Sequence, residues 1–415
     1  MINLKDFLEN PERYIAGFNR RGFDGNKIFL ELPERSNQQK ELESWQQQVH
    51  EASKIIPTLS PAEKKKKIAE MKKISDKIAL IKSNLRVGSL VETPNLPKDD
   101  VPDGKNEEDN VVLREVGKKP KLESPQEYLA LAELLGIIDM ARGSKVSGSR
   151  FGYLLGAAAQ LEFALVQFAQ SIILPAGFTM VVPPALIKSE NMAAMGFLAG
   201  GGERETYHFT DDDLYLVGTS EQSIGPMHRD ETFNEEDLPK RYLAFSSCFR
   251  REAGSYGKDT KGIIRVHQFD KLEMFSFCLP EKSDQEQEFF LGVEEKLMQK
   301  LELPYRVVKL CAADLGWSSA RTYDIETWMP GQAVYRETHS TSTTTDYQSR
   351  DLHIKVHRGE KKEFVHMING TAFAIGRTLV GIIENYQQRD GSIAIPQVLQ
   401  PFMGGLKSIK APAHA

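Results

Sequence analysis

The sequence predicts an α+β protein with an antiparallel β-sheet, preceded by a long antiparallel helical hairpin. Two observations support this prediction. From about residue 111 onwards, apolar stretches typical of strands and helices follow one another without the regular alternation of a parallel sheet. Before about residue 100 the chain is polar and helix-forming, and its apolar residues recur at steps of three and four.

Two helical stretches form the predicted hairpin, which spans about residues 31–90. Ser60 followed by Pro61 is typical of a helix start, and Pro57 and Pro61 together interrupt a continuous helix. Each arm has ~25–30 residues and therefore a length of ~40–45 Å. We expect one narrow apolar seam, which leaves most of the hairpin surface polar. The seam residues are Leu42, Trp45, Val49, Ala52 and Ile56 in one arm and Ile68, Met71, Ile74, Ile78, Ile81 and Leu85 in the other.

The region after the hairpin begins with a linker and continues into the predicted sheet. Residues 93–122 combine proline, glycine and charge, which is typical of a connecting segment. Strands are predicted at 243–249, 263–279 and 305–311, a helix from Leu154 to Leu174, and a strand–turn–helix at 367–388. We place the domain boundary between residues 103 and 104, which gives an N-terminal domain of 1–103 and a second domain of 104–415.

Composition excludes several classes of protein. The 415 residues include 53 Lys and Arg against 58 Asp and Glu, a net charge of −5, so the chain is not a polybasic nucleic-acid coat. Its three cysteines show no C-x-x-C spacing, and we expect no zinc site and no disulfide framework. No run of ~18 apolar residues is evident, and the N-terminus has no apolar signal core. We therefore expect a cytoplasmic protein with no membrane partner.

The second hairpin helix is strongly basic. Residues 61–86 carry nine basic and three acidic residues, a net charge of +6. A solvated helix face accounts for such a run, and so does an arm that contacts the phosphates of a nucleic acid. The candidate contact residues are Lys64, Lys65, Lys66, Lys67, Lys72 and Lys73.

The segment from Cys248 to Phe275 is the richest in chemistry. Its pattern predicts a strand, a Gly-rich polar loop and a second strand, and we expect Glu252 on the same side of the extended chain as Arg250. Such a hairpin suits a polyphosphate, because an arginine fork can hold one phosphate while the loop covers the rest. A solvent-exposed charged hairpin is the alternative. The basic residues are Arg250, Arg251, Lys258, Lys261 and Arg265.

Three further clusters contain candidate binding groups. Thr219-Ser220-Glu221 could receive a small cation such as an amino-acid ammonium, or Thr219 could simply cap a helix whose first turn holds Glu221. Arg377 enters an apolar helix and needs a partner, either a bound phosphate or a nearby carboxylate. The stretch from Tyr335 to Ser340 places an acid and a hydroxyl near a strand end, where they could hold Mg²⁺ on substrate phosphates.

Together, and in this order behind a helical hairpin, these segments resemble the seryl-tRNA synthetases, which are class II aminoacyl-tRNA synthetases. Ala176 to Pro184 is similar to motif 1 of the family, Phe249 to Glu273 to motif 2, and Gly376-Arg377 with its helix to motif 3. Thr219-Ser220-Glu221 matches the T-x-E serine-binding loop. Residues 143–153 and 94–97 also match, so the resemblance covers nearly the whole chain.

The resemblance implies a class II antiparallel catalytic domain, a coiled-coil arm that binds tRNA, and a two-step reaction. Serine and ATP give seryl-adenylate and pyrophosphate, and the seryl group then passes to the 3′ end of serine tRNA; selenocysteine tRNA is an open second acceptor. The implied partners are ATP, L-serine, Mg²⁺, the long variable arm of serine tRNA and a second copy of the chain, with no DNA.

The resemblance also implies roles for individual residues, among which Arg250 and Arg377 are catalytic. The ATP-binding residues are Arg250, Arg251, Glu252, Val266, Phe269, Glu337, Thr338, His339, Ser340 and Arg377. The serine-binding residues are Thr219, Ser220, Glu221, Arg250, Glu273, Asn369 and Thr371. The Mg²⁺ ligands are Glu337 and Ser340. The tRNA-binding residues are the six lysines named above.

One segment departs from the family pattern, and two other functions compete with the first. His339 stands where the family usually has a small residue, within a threonine-rich stretch that leaves the local ATP and Mg²⁺ geometry open. A ligase for another acceptor, such as a carrier protein, would lack the hairpin. A catalytically silent paralogue would be expected to lose Arg250, Glu273 or Arg377, all of which are present.

Overall fold

A computed structural model describes residues 2–86, 93–254 and 261–411. The chain divides into two compact units, residues 1–94 and 95–415. The division lies at Pro94/Asn95, whereas the sequence predicts a boundary at 103/104.

The first unit is helical. Its helices are α1 (Leu4–Glu9), α2 (Pro11–Arg20), α3 (Gly25–Ile55) and α4 (Pro61–Arg86). The Asp24 side chain accepts a hydrogen bond from the Lys27 amide and caps α3, while the Glu63 carboxylate accepts the Ser60 amide at the start of α4. Helix α4 therefore begins at Pro61, as the sequence predicts. Residues 87–90 of the expected hairpin lie outside the described residues.

Helices α3 and α4 contact each other at several predicted seam positions. Ala52 and Met71 are buried, and the ammonium of Lys77 lies 5.1 Å from the centre of the Trp45 ring. Ile68 is different, because half of its side chain is exposed. The side chains of the seam positions Leu42, Ile81 and Leu85 lie outside the described residues.

The second unit combines helices with a large sheet. Its helices are α5 (Tyr128–Leu135), α6 (Met140–Ser147), α7 (Ala157–Ile173), α8 (Ser189–Ala194), α9 (Glu221–Ile224), α10 (Ser283–Lys300), α11 (Tyr347–Leu352) and α12 (Ile375–Asn385). The strands of the main sheet are β1 (Val111–Val116), β4 (Thr179–Val181), β9 (Lys240–Phe249), β10 (Gln268–Cys278), β11 (Tyr305–Lys309), β12 (Arg321–Met329), β13 (Val334–Thr345) and β16 (His366–Ala374). The remaining strands are β2 (Ile138–Asp139), β3 (Tyr153–Leu154), β5 (Leu186–Lys188), β6 (His208–Phe209), β7 (Leu214–Leu216), β8 (Thr232–Phe233), β14 (Lys355–Arg358), β15 (Lys361–Phe364), β17 (Ile393–Ala394) and β18 (Ser408–Ile409).

The main sheet has eight strands in the order β1-β11-β12-β13-β16-β10-β9-β4. All of its pairs are antiparallel except the edge pair of β4 with β9, which is parallel. The prediction of an antiparallel sheet is therefore confirmed for the central strands, and one parallel edge pair makes the sheet mixed. The strands that carry the candidate site residues, β9, β10, β13 and β16, are neighbours or near neighbours in the sheet.

The start of one predicted strand and part of the predicted linker need correction. Strand β10 begins at Gln268 and not at 263, because the Ile263 amide donates to the Tyr128 hydroxyl at 2.8 Å and Gly262 has a φ of +75°. Strand β1 lies inside the segment predicted as a linker and pairs with β11. Its residues are almost all exposed, so they lack the alternating burial on which a sequence pattern depends.

Helix α7 supplies much of the core of the second unit. Leu161, Ala164 and Leu165 are at most 1% exposed and pack in one cluster with α10 and α12. By length and composition alone, residues 157–176 could cross a membrane, and half of that stretch is buried inside the protein. This segment corresponds to the apolar helix predicted from Leu154 to Leu174, and its packing in the core explains its composition.

Candidate active site

The register of β10 against β16 places two candidate serine-binding residues side by side. Glu273 is opposite Thr371, and the Thr371 hydroxyl donates to the Glu273 carboxylate at 3.2 Å. A bulge follows at Ala372, because Leu272 pairs with Phe373. Asn369 lies on the same strand as Thr371, two residues before it. The three residues predicted to surround a serine hydroxyl therefore meet on adjacent strands.

Glu273 also contacts a lysine that the sequence analysis did not select. The Lys271 ammonium lies 2.7 Å from the Glu273 carboxylate, and both side chains are buried. The signal was present in the sequence, because residues two apart on a strand share a face. A buried ion pair is a weak source of stability, so its position beside the candidate site is more informative than its energy.

The T-x-E loop lies between β7 and α9. Glu221 is the first residue of α9, and the helix cap is Ser220 rather than the predicted Thr219. Among the described residues, neither the Thr219 hydroxyl nor the Ser220 hydroxyl has a hydrogen-bond partner, although both are buried. Burial, reinforced by repulsion from Glu273, raises the pKa of Glu221 to about 8. These buried polar groups lack the partner that a bound cation would supply.

Arg250 follows directly after the end of β9. Its Nε donates to the Gly218 carbonyl at 3.2 Å, which links the motif 2 hairpin to the T-x-E loop. Its guanidinium lies 5.2 Å from the centre of the Phe269 ring, within cation–π range. Arg250 therefore lies between the candidate amino-acid side of the site, at Gly218, and the candidate adenine-stacking ring, at Phe269.

Glu252 does not extend the strand as predicted. Its φ is +50°, so the chain turns at this residue instead of continuing on one face. The Glu252 carboxylate accepts from Arg265 at 2.6 Å, and the Arg251 guanidinium lies 5.7 Å from the centre of the Tyr207 ring. Lys258, predicted to lie in this loop, is outside the described residues.

A bulge on β13 determines which of its side chains share a face. Glu337 pairs with Glu326, whereas Ser340 pairs with Asp324, so Thr338 is the extra residue. Because Asp324 and Glu326 are two apart on β12, Glu337 and Ser340 lie on the same face of the sheet. Without the bulge, residues three apart would point to opposite faces. The bulge thus brings the two candidate Mg²⁺ ligands together.

Glu337 pairs with Arg377 of α12. The Arg377 guanidinium lies 3.0 Å from the Glu337 carboxylate, and it also donates to the Glu337 carbonyl at 3.1 Å. Partial desolvation opposes ionisation of Glu337, whose side chain stays about half exposed, but the positive charges of Arg377, Arg250 and Lys271 lower the pKa of its carboxyl below the usual value. The carboxylate alternative for Arg377 is therefore the arrangement seen here.

The side chains of Thr338 and His339 are buried, unlike that of Glu337. The Thr338 hydroxyl lies 2.7 Å from that of Thr327, and the His339 ring is 1% exposed. Burial lowers the pKa of His339 to about 4, which keeps the imidazole neutral. Its ring packs edge-on against Phe373, so the side chain belongs to the core.

Many of these residues line one or the other of two cavities. One, of about 560 Å³, is lined in part by Thr219, Arg250 and Glu252. A smaller one, of about 60 Å³, shares Arg250 and Glu252. Its other candidate site residues are Val266, Phe269, Glu337, Thr338, Thr371 and Arg377. The candidate amino-acid and nucleotide residues therefore surround adjoining spaces, which is the arrangement needed to react two bound molecules.

Comparisons with known proteins agree with this geometry. The family model for the class II tRNA synthetase core domain (G, H, P, S and T) matches residues 207–386. The serine–tRNA ligase of Dictyoglomus turgidum is 44% identical over 97% of this chain and 98% of its own length. That of Streptomyces coelicolor is 50% identical over 75% of this chain and 74% of its own length.

Solved structures show the same similarity. Seryl-tRNA synthetase from Pyrococcus horikoshii, complexed with ATP, is 35% identical and covers the whole of both chains with a TM-score of 0.84. Cytoplasmic serine–tRNA ligase from Naegleria fowleri, in complex with AMP, is 32% identical, covers 97% of this chain and 96% of its own, and has a TM-score of 0.80. The chain therefore has the class II synthetase fold and belongs to the serine–tRNA ligase family.

Proposed function

We propose that the chain activates L-serine with ATP to form seryl-adenylate and pyrophosphate, and then transfers the seryl group to the 3′ end of serine tRNA. The observation that supports this most strongly is the set of adjoining cavities bounded by Arg250, Arg377, Glu337 and Thr371. It occurs in a chain that matches serine–tRNA ligases over nearly its whole length. A second acceptor, selenocysteine tRNA, a cytoplasmic location and the absence of a DNA partner are further predictions.

Serine would bind with its ammonium at the T-x-E loop. Thr219 and Ser220 offer two hydroxyls that have no hydrogen-bond partner within the described part of the chain, and Glu221 offers a buried carboxyl. An ammonium needs three acceptors, and a positive charge there would offset the burial that keeps Glu221 protonated. Serine binding at this point therefore releases a proton from Glu221.

The side-chain hydroxyl of serine would be received by Glu273, Asn369 and Thr371. The Thr371–Glu273 hydrogen bond shows that these two groups point toward each other. Alanine would leave their polar atoms unpaired, which is a large penalty, whereas the extra methyl group of threonine must be refused by size. Selectivity thus depends on the shape of this pocket.

ATP would bind along the motif 2 hairpin. Arg250 would bridge the serine carboxylate and the α-phosphate, which neutralises two anions that otherwise repel each other and aligns them for attack. Glu252 would contact the adenine amino group, Phe269 would stack on the base, and Val266 would line the base through its backbone. Arg377 would hold the γ-phosphate, with Arg251 and Thr338 completing the contacts. His339 would contribute only through its backbone, because its side chain lies in the core.

Mg²⁺ would be held by Glu337 and Ser340. The bulge places both on one face beside Asp324, and one buried Asp324 oxygen lacks a partner among the described residues. Hard oxygen ligands of this kind suit Mg²⁺, which usually takes one or two protein carboxylates and completes its shell with phosphates and water. When bound, the ion would screen the phosphate charges.

The hairpin helices α3 and α4 would form the coiled-coil arm that grips the variable arm of serine tRNA, with residues 1–103 as the tRNA-binding domain. The candidate lysines are Lys64, Lys65, Lys66, Lys67, Lys72 and Lys73. Most of these side chains are exposed, and Lys67 is paired with Glu70 at 3.0 Å. An unpaired, solvated lysine can exchange its counterions for phosphates at little cost.

A homodimer would form through the motif 1 segment. Strand β4 is an edge strand of the main sheet. Val182, directly after it, is 77% exposed, and Phe163 on α7 is 59% exposed. Large exposed apolar groups and an edge strand are both typical of interfaces. Since a two-fold axis repeats the same surface, the partner copy would present the same residues.

Removal of the Arg250 guanidinium tests the activation step. We expect Arg250→Ala to slow serine-dependent ATP–pyrophosphate exchange by about 100-fold or more, because one preorganised donor to a reacting anion is lost. Arg389→Ala is the matched control, since Arg389 is exposed and pairs with Glu123 on the surface. Near-normal exchange by the Arg250 variant would refute its role.

The pKa of Glu221 predicts a pH dependence for serine binding. The carboxyl is neutral below about pH 8 and charged above it. The KM for serine should therefore fall as the pH rises from about 6 to 8, because less work is needed to ionise Glu221 for the ammonium. Glu221→Gln should have a higher KM that is nearly constant over this range. A flat profile for the unmodified chain would contradict the assignment.

Replacement of Lys64, Lys65, Lys66 and Lys67 by glutamine tests the arm. Pyrophosphate exchange without tRNA should be unchanged, whereas the KM for serine tRNA should rise and its dependence on the logarithm of salt concentration should flatten by up to about four units. A control variant with the same charge change replaces four exposed lysines of the second unit, Lys296, Lys300, Lys407 and Lys410. Equal tRNA charging by both variants would remove the arm from the proposal.

Phe163→Glu tests the dimer. A buried, unpaired carboxylate at the interface should shift the protein from dimer to monomer in analytical ultracentrifugation. Leu406→Glu makes the same change at another exposed apolar position and should leave the dimer intact. A Phe163 variant that remains fully dimeric, or an unmodified chain that is monomeric, would contradict the proposed interface.

A further inference from the structure

The carboxylate of Glu205, which is not among the assigned site residues, accepts hydrogen bonds from the turn of the motif 2 hairpin. Glu205 ends the 3₁₀ turn Gly202–Glu205. Its two carboxylate oxygens accept hydrogen bonds from the amides of Ala253 and Gly254, each at 3.1 Å. Its backbone carbonyl accepts the Arg251 amide at 2.8 Å. One residue therefore binds three of the four amides between 251 and 254.

These contacts surround a residue in an uncommon conformation. Glu252 has a φ of +50°, which costs a residue with a side chain of the order of 1 kcal/mol and persists only where neighbours enforce it. The amides that Glu205 holds lie immediately before and after Glu252. A carboxylate that accepts from successive amides stabilises a turn of this kind, as it does at a helix N-terminus.

The direction of the Glu252 side chain is fixed from two sides. Glu205 holds the backbone, while Arg265 donates to the Glu252 carboxylate at 2.6 Å. All three side chains line the same cavity of about 560 Å³, together with Arg250. A rotation of the backbone at Glu252 would therefore move its carboxylate relative to the Arg250 guanidinium.

We propose that Glu205 is a positioning residue for nucleotide selection. It holds the backbone of Glu252 in the turn from which the Glu252 carboxylate accepts a hydrogen bond from the 6-amino group of adenine. The inference rests on the proposed function, because it assigns Glu205 a task within ATP binding. Glu205 itself touches no reacting atom. Its contribution is to keep the adenine acceptor in place before the nucleotide arrives.

The test compares ATP with purine riboside triphosphate, which lacks the 6-amino group. The measured quantity is the ratio of the two kcat/KM values in serine-dependent pyrophosphate exchange. The unmodified chain should prefer ATP by about tenfold or more, the contribution of one hydrogen bond to a charged group. Glu205→Ala should reduce that preference toward one. Glu205→Gln, which keeps one good acceptor oxygen, should retain an intermediate preference.

Two further variants complete the design. Glu203→Ala removes an exposed carboxylate from the same turn and should keep the full preference. Glu252→Ala should lose the preference to the same extent as Glu205→Ala. Equal losses for both nucleotides in the Glu205 variants would show a merely structural role and overturn the proposal, as would a preference that survives in Glu252→Ala. Absence of serine-dependent exchange in the unmodified chain would instead refute the proposed function.

Discussion

The antiparallel pairing of β10 with β9 and β16 is the constraint on which the candidate site depends. It places Glu273 opposite Thr371 on one side and aligns Gln268 with Phe249 on the other, so that Arg250 leaves β9 beside the start of β10. A slip of one residue in either register would turn Glu273 to the opposite face of the sheet. The spacing of Arg250, Glu273 and Thr371 is thus set by backbone hydrogen bonds between strands.

The second property of the site is that its ionisable groups are held neutral or paired in a confined space. Glu221 is held largely neutral by burial, while Arg377 is occupied by Glu337. Both arrangements suit a protein whose substrates bring the missing charges, an ammonium for the first and a phosphate for the second. Interactions between charges are stronger in such a desolvated space than in water, so the correct pair of substrates would organise the site as it binds.

Much of this could be predicted from sequence, because the chemistry lies in short contiguous runs such as 219–221 and 249–252. The parts that could not be predicted depend on pairing between distant strands. Nothing local indicates that a bulge at Thr338 would bring Glu337 and Ser340 to one face, or that Glu252 would turn with a positive φ. Strand β1 has no signal in the sequence either, since its exposed residues carry no burial pattern and its pairing with β11 defines it.

The most direct test of the central claim is amino-acid-dependent ATP–pyrophosphate exchange, measured with each of the twenty amino acids and without tRNA. The account predicts strong exchange with serine alone, because serine combines an ammonium for Glu221 with a short hydroxyl for Glu273 and Thr371. Threonine has both groups, but the pocket must refuse its extra methyl group by size. Exchange with a different amino acid would preserve the fold but contradict the pocket assignment. Absence of exchange with all twenty would contradict the proposed function and favour a catalytically silent member of the family.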